Sequence, residues 1–102
     1  MNCGLPACLA VDHATDLIRV NGVYPGFVDT PMIREAVAAT PTEIQFDKRM
    51  KAMIPTAKLA LPEEVADAVL WLASPRASYV LGSGITVDAA AGIWPANHHD
   101  IA

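Results

Sequence analysis

Few side chains in this sequence have the chemistry to move a proton, hold a metal or grip a phosphate. Thr30 stands directly before Pro31. A hydroxyl at a helix start can cap free N–H groups, and the positive end of the helix suits an anion. Just upstream, Pro25 is followed by Gly26. A glycine there lets backbone approach a flat ligand with no side chain between them. Taken alone, Pro25-Gly26 is equally a plain turn and Thr30 a plain N-cap. Glu63 and Glu64 have the groups for acid–base work, but at the first turn of a helix they are better explained by the helix dipole. Cys3 and Cys8 could form a disulfide or touch a metal; two reduced thiols in a cytosolic protein is the simpler reading. His98-His99-Asp100 offers ligand types, yet adjacent side chains on a polar tail define no coordination geometry. No metal site is expected.

The elements that would position these groups follow from pattern. Residues 5–15 read as the end of a helix. Residues 18–24 (Ile-Arg-Val-Asn-Gly-Val-Tyr) are rich in β-branched and aromatic types and stop at Pro25-Gly26, which predicts a strand and a turn. Thr30-Pro31 opens a short helix over 31–39, broken by Pro41. A weakly amphipathic helix follows over 43–53, with Ile44, Met50 and Met53 apolar and Lys48, Arg49 and Lys51 solvated. The clearest helix is 62–73. Pro62, Glu63 and Glu64 mark its start, and Ser74-Pro75 ends it. It carries two apolar stripes, Val65-Val69-Leu72-Ala73 and Ala66-Leu70-Ala73, so it needs two partners. After Gly82 and Gly84, residues 85–88 predict a short strand. Two strands joined by a long helical crossover are most simply parallel neighbours in an α/β sheet. Ligands of such sheets bind beyond the carboxyl ends of the strands, which is where residues 25–32 fall.

Composition narrows the classes. The chain of 102 residues is 53% hydrophobic and 18% charged, against about 45–50% and about 25% in typical domains. That excess suits a piece of a larger interior or a chain that buries surface in an oligomer. A net charge of −4 and the lack of a basic patch give nucleic acid little to hold. No apolar run approaches the roughly 20 residues of a membrane span. The start lacks a positive n-region, so a signal peptide is not expected and the expected location is cytoplasmic.

Three segments together carry a resemblance. Ile18-Arg19-Val20-Asn21-Gly22-Val23-Tyr24-Pro25-Gly26-Phe27-Val28-Asp29-Thr30-Pro31-Met32 strongly resembles the sixth-strand segment of classical short-chain dehydrogenases/reductases. Leu61-Pro62-Glu63-Glu64-Val65-Ala66, continuing through Val69-Leu70-Trp71-Leu72-Ala73-Ser74, is similar to the family's last helix. Ala77-Ser78-Tyr79-Val80-Leu81-Gly82, leading into Ile85-Thr86-Val87-Asp88, is similar to its closing strand. All three stand in the family's order and spacing, over roughly residues 5–92. The resemblance implies an α/β fold: the C-terminal part of a Rossmann-like, doubly wound parallel sheet, incomplete, with the last two strands and their intervening helices. It divides one partial domain into a helix remnant (1–16), the sixth strand and nicotinamide-side loop (17–32), a substrate-covering insert (33–60), the last helix and strand (61–92) and a tail (93–102).

The resemblance also implies NAD or NADP as cofactor and a small alcohol or ketone as substrate of the parent enzyme. Pro25 and Gly26 would line the nicotinamide, the Val28 backbone would pair with its carboxamide, and the Thr30 hydroxyl would bond the carboxamide or a phosphate. Phe27, Met32, Ile33, Met50 and Met53 either line an apolar pocket or pack the core and lid, the latter being favoured. Helix 62–73 and strand 85–88 would form a homo-oligomer interface.

The family's chemistry uses a Tyr acid/base, a Lys four residues later and a Ser. Here Tyr24 and Tyr79 are followed four residues on by Val28 and Ser83. No Tyr-x-x-x-Lys exists, and Gly82-Ser83-Gly84 precedes a strand, so it is no dinucleotide fingerprint. No catalytic residue is therefore expected in this chain. The resemblance places its start inside the helix that would carry the Tyr–Lys pair. The expectation is a fragment of an NAD(P)-dependent oxidoreductase with no turnover of its own. The alternatives are a non-catalytic oligomerisation or complementation module, or a truncated gene product. Where the family continues Val-Asp with Gly-Gly, this chain has Ala89-Ala90; alanine in a φ > 0 position costs about 1 kcal/mol.

Overall fold

The computed structural model describes residues 4–39 and 43–94. Its main elements are α1 (Leu5–His13), β1 (Gly22–Pro25), α2 (Pro31–Ala38), α3 (Glu43–Met53), α4 (Pro62–Ala73) and β2 (Gly84–Val87). β1 and β2 form a two-stranded parallel sheet. The chain is therefore α/β, with the strand–helices–strand order expected. Residues divide into two compact units, 1–24 with 63–87 and 25–62 with 88–102.

In the first unit, α1 starts with Pro6 in its opening turn and buries Ala10 at 3% exposure. A short 3-10 turn over Ala14–Asp16 follows, so the helix predicted over 5–15 is α-helical only to His13. The strand predicted over 18–24 is shorter and lies later, at Gly22–Pro25. β2 is four residues long and offers no ladder to the earlier residues, which bond to loops and helix ends instead. Gly82 N–H donates to the Val20 carbonyl at 2.9 Å, and Gly22 N–H to the Ser83 carbonyl at 2.8 Å. Asn21 Nδ2 donates to the Val80 carbonyl at 2.9 Å, and its Oδ1 accepts from Ser83 N–H at 3.0 Å. Asn21 thereby holds the loop that delivers the chain to β2.

Helix α4 has the boundaries its sequence signals predict. Glu63 and Glu64 occupy its first turn. The last carbonyls of a helix have no partner within it. Here one side chain gathers that end and the turn after it: Arg19 donates to the carbonyls of Leu72 in α4 (2.6 Å) and of Ser74 (3.3 Å) and Ala77 (3.0 Å) beyond it. The inward line of α4 differs from either predicted stripe. It runs Val65, Ala68, Leu72, with Leu72 buried, while Val69, Leu70 and Trp71 are 49%, 69% and 41% exposed. The i, i+3, i+7 spacing of that line is still one helical face.

In the second unit, Val28 and Ala60 form an isolated parallel bridge. Thr30 precedes α2 and caps it: its Oγ1 accepts from Ile33 N–H at 3.4 Å, and its carbonyl accepts from Arg34 N–H at 3.0 Å. Arg34 Nε donates to Asp29 Oδ1 at 3.1 Å. Ile54, directly after the end of α3, is buried at 2% exposure. The Pro41 break falls outside the described residues. β2 ends at Val87, one residue earlier than predicted, because Asp88 turns away to organise the next loop. Asp88 Oδ1 accepts from Ala90 N–H and Oδ2 from Gly92 N–H, each at 3.0 Å. Between them Ala89 and Ala90 take φ of +52° and +66°, the left-handed conformation suspected from the missing glycines.

Candidate active site

The candidate site begins where β1 ends. Pro25 is its last residue, and Gly26, Phe27 and Val28 carry the chain on towards α2. At the bridge, the Phe27 carbonyl accepts from Ala60 N–H at 3.0 Å, and Asp29 N–H donates to the Ala60 carbonyl at 2.8 Å. In a parallel pairing the neighbours make the bonds, so the central residue's own N–H and C=O point to the opposite edge. Val28 is that central residue. Among the described residues, nothing bonds its N–H or its carbonyl. One donor and one acceptor side by side match a planar carboxamide, which carries the reverse pair.

Gly26 is packed more tightly than a turn requires. A Cβ placed on it would lie 2.7 Å from the Asp88 Cβ and 2.9 Å from the Asp88 Cα. The space a side chain would take thus belongs to Asp88, so packing alone already demands glycine there. At Gly92 a Cβ would meet only the end of the Asp88 side chain, Oδ2, at 2.9 Å. Pro25, Gly26, Phe27, Met53, Asp88 and Trp94 line much of a hollow of about 400 Å³. That lies within the roughly 300–1,000 Å³ usual for small-molecule sites. Val28 and Thr30 are not among the residues that line the hollow. Thr30 Oγ1 already caps α2, and its O–H proton remains able to donate to a ligand.

A second, apolar pocket of about 170 Å³ adjoins these residues, lined by Phe27, Ile33, Ala36, Met50, Met53 and Leu59, among others. Four of the five apolar candidates, Phe27, Ile33, Met50 and Met53, therefore meet in one place. Met32 does not; it is 77% exposed.

The remaining candidates stay apart. Glu63 and Glu64 are exposed on the first turn of α4. His13 pairs locally with Asp16 at 3.3 Å. Cys8 is exposed, while Cys3 and His98-His99-Asp100 lie outside the described residues. Among the described residues no group of His, Cys, Asp and Glu could hold a metal ion. Among the described residues no helix is long and apolar enough to cross a membrane either. Three organising side chains, Arg19, Asn21 and Asp88, escaped reading by sequence. Asp88 alone left a signal: a carboxylate ahead of two residues where glycine is usual.

Open α/β sheets bind ligands beyond the carboxyl ends of their strands, and the hollow is lined from Pro25, the last residue of β1, onward. A family profile described as enoyl-(acyl carrier protein) reductase matches residues 3–91. The short-chain dehydrogenase fogB of Aspergillus ruber is 48% identical over 85 residues, covering 83% of this chain and 30% of that protein. The cis-4-hydroxycyclohexanecarboxylate dehydrogenase of Sinomonas cyclohexanicum is 46% identical over 79 residues, covering 78% of this chain and 29% of that protein. Among solved structures, a protein from Burkholderia xenovorans assigned as a short-chain dehydrogenase/reductase superposes with a TM-score of 0.77 at 33% identity, over 89% of this chain and 35% of that one. A 4-hydroxyisoleucine dehydrogenase complexed with NADH shares the fold, with a TM-score of 0.80 at 22% identity, over 90% of this chain and 36% of that one. The chain belongs to the short-chain dehydrogenase/reductase family. It spans 30–33% of the length of the fungal relatives it matches.

Proposed function

We propose that this chain forms the nicotinamide-side wall of an NAD(P)-dependent oxidoreductase that interconverts alcohol and carbonyl groups by hydride transfer. The observation that carries this reading is the orientation of Val28, whose peptide N–H and C=O are left over by the Ala60 bridge. In this reading Pro25 and Gly26 face the nicotinamide ring, Val28 pairs with its carboxamide, and Thr30 donates its hydroxyl proton to the carboxamide or a phosphate. The cofactor, when bound, supplies the hydride. The chain's residues orient the ring and, through Phe27 and Met53, keep water from one side of it. The insert over 33–60 covers a small alcohol or ketone substrate.

Hydride transfer at an alcohol or ketone also needs a group that takes or gives a proton within hydrogen-bond reach. The sequence has no Tyr-x-x-x-Lys pair, so the 102-residue polypeptide by itself is proposed to have no turnover. Incubation with NAD(H) and NADP(H) and a panel of alcohols and ketones tests this. No absorbance change at the reduced-nicotinamide band is expected, and clear turnover by a verified 102-residue chain would overturn it.

A second role, as an oligomerisation or complementation module, is supported by the exposed Val69, Leu70 and Trp71 of α4. Soluble proteins seldom leave such contiguous apolar groups uncovered. The partner proposed is a second copy, meeting through helix 62–73 and the strand at 85–88. A cytoplasmic location belongs to the same proposal.

A further inference from the structure

We infer that Asp88 is a positioning residue for the Val28 peptide groups and acts through Gly26. The inference rests on the role proposed above for Val28. Asp88 is held in three ways: Oδ1 by Ala90 N–H, Oδ2 by Gly92 N–H, and its carbonyl by Ala91 N–H, all at 3.0 Å. Both carboxylate oxygens are thus spent on the loop that follows, and Asp88 itself becomes a fixed surface. Gly26 rests against that surface so closely that a Cβ would lie 2.7 Å from the Asp88 Cβ. Two residues further on, the Ala60 bridge holds Phe27 and Asp29. The segment 26–29 is therefore clamped at both ends, Asp88 against Gly26 and Ala60 around Val28.

That clamp matters because a donor–acceptor pair recognises a carboxamide only when both groups point correctly. Rigid support fixes that direction before the ligand arrives. The carboxylate also does what no other side chain does equally well. Asparagine has one acceptor and would present N–H to N–H. Glutamate would carry its carboxylate one methylene past the positions where the Ala90 and Gly92 N–H groups meet it. Between the two carboxylate bonds sit Ala89 and Ala90 in the left-handed region. The carboxylate bonds hold them there, so losing the carboxylate frees the loop and removes the support behind Gly26.

The test is amide exchange by NMR on the 15N-labelled 102-residue chain, comparing wild type, Asp88→Asn and Asp88→Ala. The Asp29 and Ala60 amides report the clamp; the Gly22 and Gly82 amides, in the other unit, are the reference. Asp88→Ala is expected to speed exchange at Asp29 and Ala60 by about tenfold, the scale of a lost hydrogen bond, with the reference amides unchanged and the Val28 cross-peak moved. Asp88→Asn should fall between. Unchanged exchange at Asp29 and Ala60, or equal acceleration at all four amides, would overturn the inference. If Asp88→Ala does not fold, Asp88→Ala with Ala89→Gly and Ala90→Gly removes the left-handed strain, and the same outcomes apply. No cofactor enters the measurement, so its failure is distinct from failure of the nicotinamide contact.

Discussion

The backbone carbonyls of Leu72 in α4 and of Ser74 and Ala77 just beyond it converge on the guanidinium of Arg19, so truncating that one side chain removes three hydrogen bonds. Hydrogen bonds from a charged donor are worth about 1.5–3 kcal/mol net. Arg19→Ala is expected to cost that much, read as faster exchange at the Gly22 and Gly82 amides or a lower denaturant midpoint. Arg19→Lys should recover little, because an ammonium is a point donor while the guanidinium is a fork that spans several acceptors. Ala89 and Ala90 call for the opposite change. A left-handed alanine costs about 1–2 kcal/mol, and glycine gives back about 0.5–1 kcal/mol in unfolded-state entropy. Each Ala→Gly replacement should therefore stabilise the chain by roughly 0.5–1 kcal/mol, seen as a raised thermal midpoint. That strain was legible in the sequence from the departure at 89–90. Arg19 was not. In a run of strand residues an arginine looks like an ordinary outward side chain, and its partners are carbonyls far along the chain, which have no sequence signature.

At the level of elements, helices were more legible than strands. Pro62, Glu63 and Glu64 mark the start of α4 and Ser74-Pro75 its end because capping and dipole effects are local. Strand limits depend on the neighbour, and β2 supports only a four-residue ladder, so residues 18–21 drop out of β1. The face of α4 was misread for a related reason: both of its sides are apolar, and only packing decides which turns inward. The outward side, Val69 and Leu70, carries the proposed self-association. Val69→Glu with Leu70→Glu leaves the Val65-Ala68-Leu72 line untouched and should convert a dimer or larger species to monomer in light scattering. Equal masses for wild type and variant would exclude this face from the interface.

For the molecule as a whole, family and fold could be read from three motifs in register, while the geometry of the site could not. Motifs name the residues Pro25, Gly26, Val28 and Thr30. They do not say that the Ala60 bridge turns the Val28 amide pair outward, nor that Gly26 is shaped by Asp88. Because the chain spans 30–33% of the length of its fungal relatives, contact and turnover are separate questions, and contact is the more direct one. Titrating the 15N-labelled chain with NADH answers it. The Val28 amide should shift in a saturable way, with Gly26 and Thr30 following and Gly22 and Gly82 still. A Val28 amide that stays in place as NADH is raised to millimolar levels would contradict the nicotinamide-side assignment.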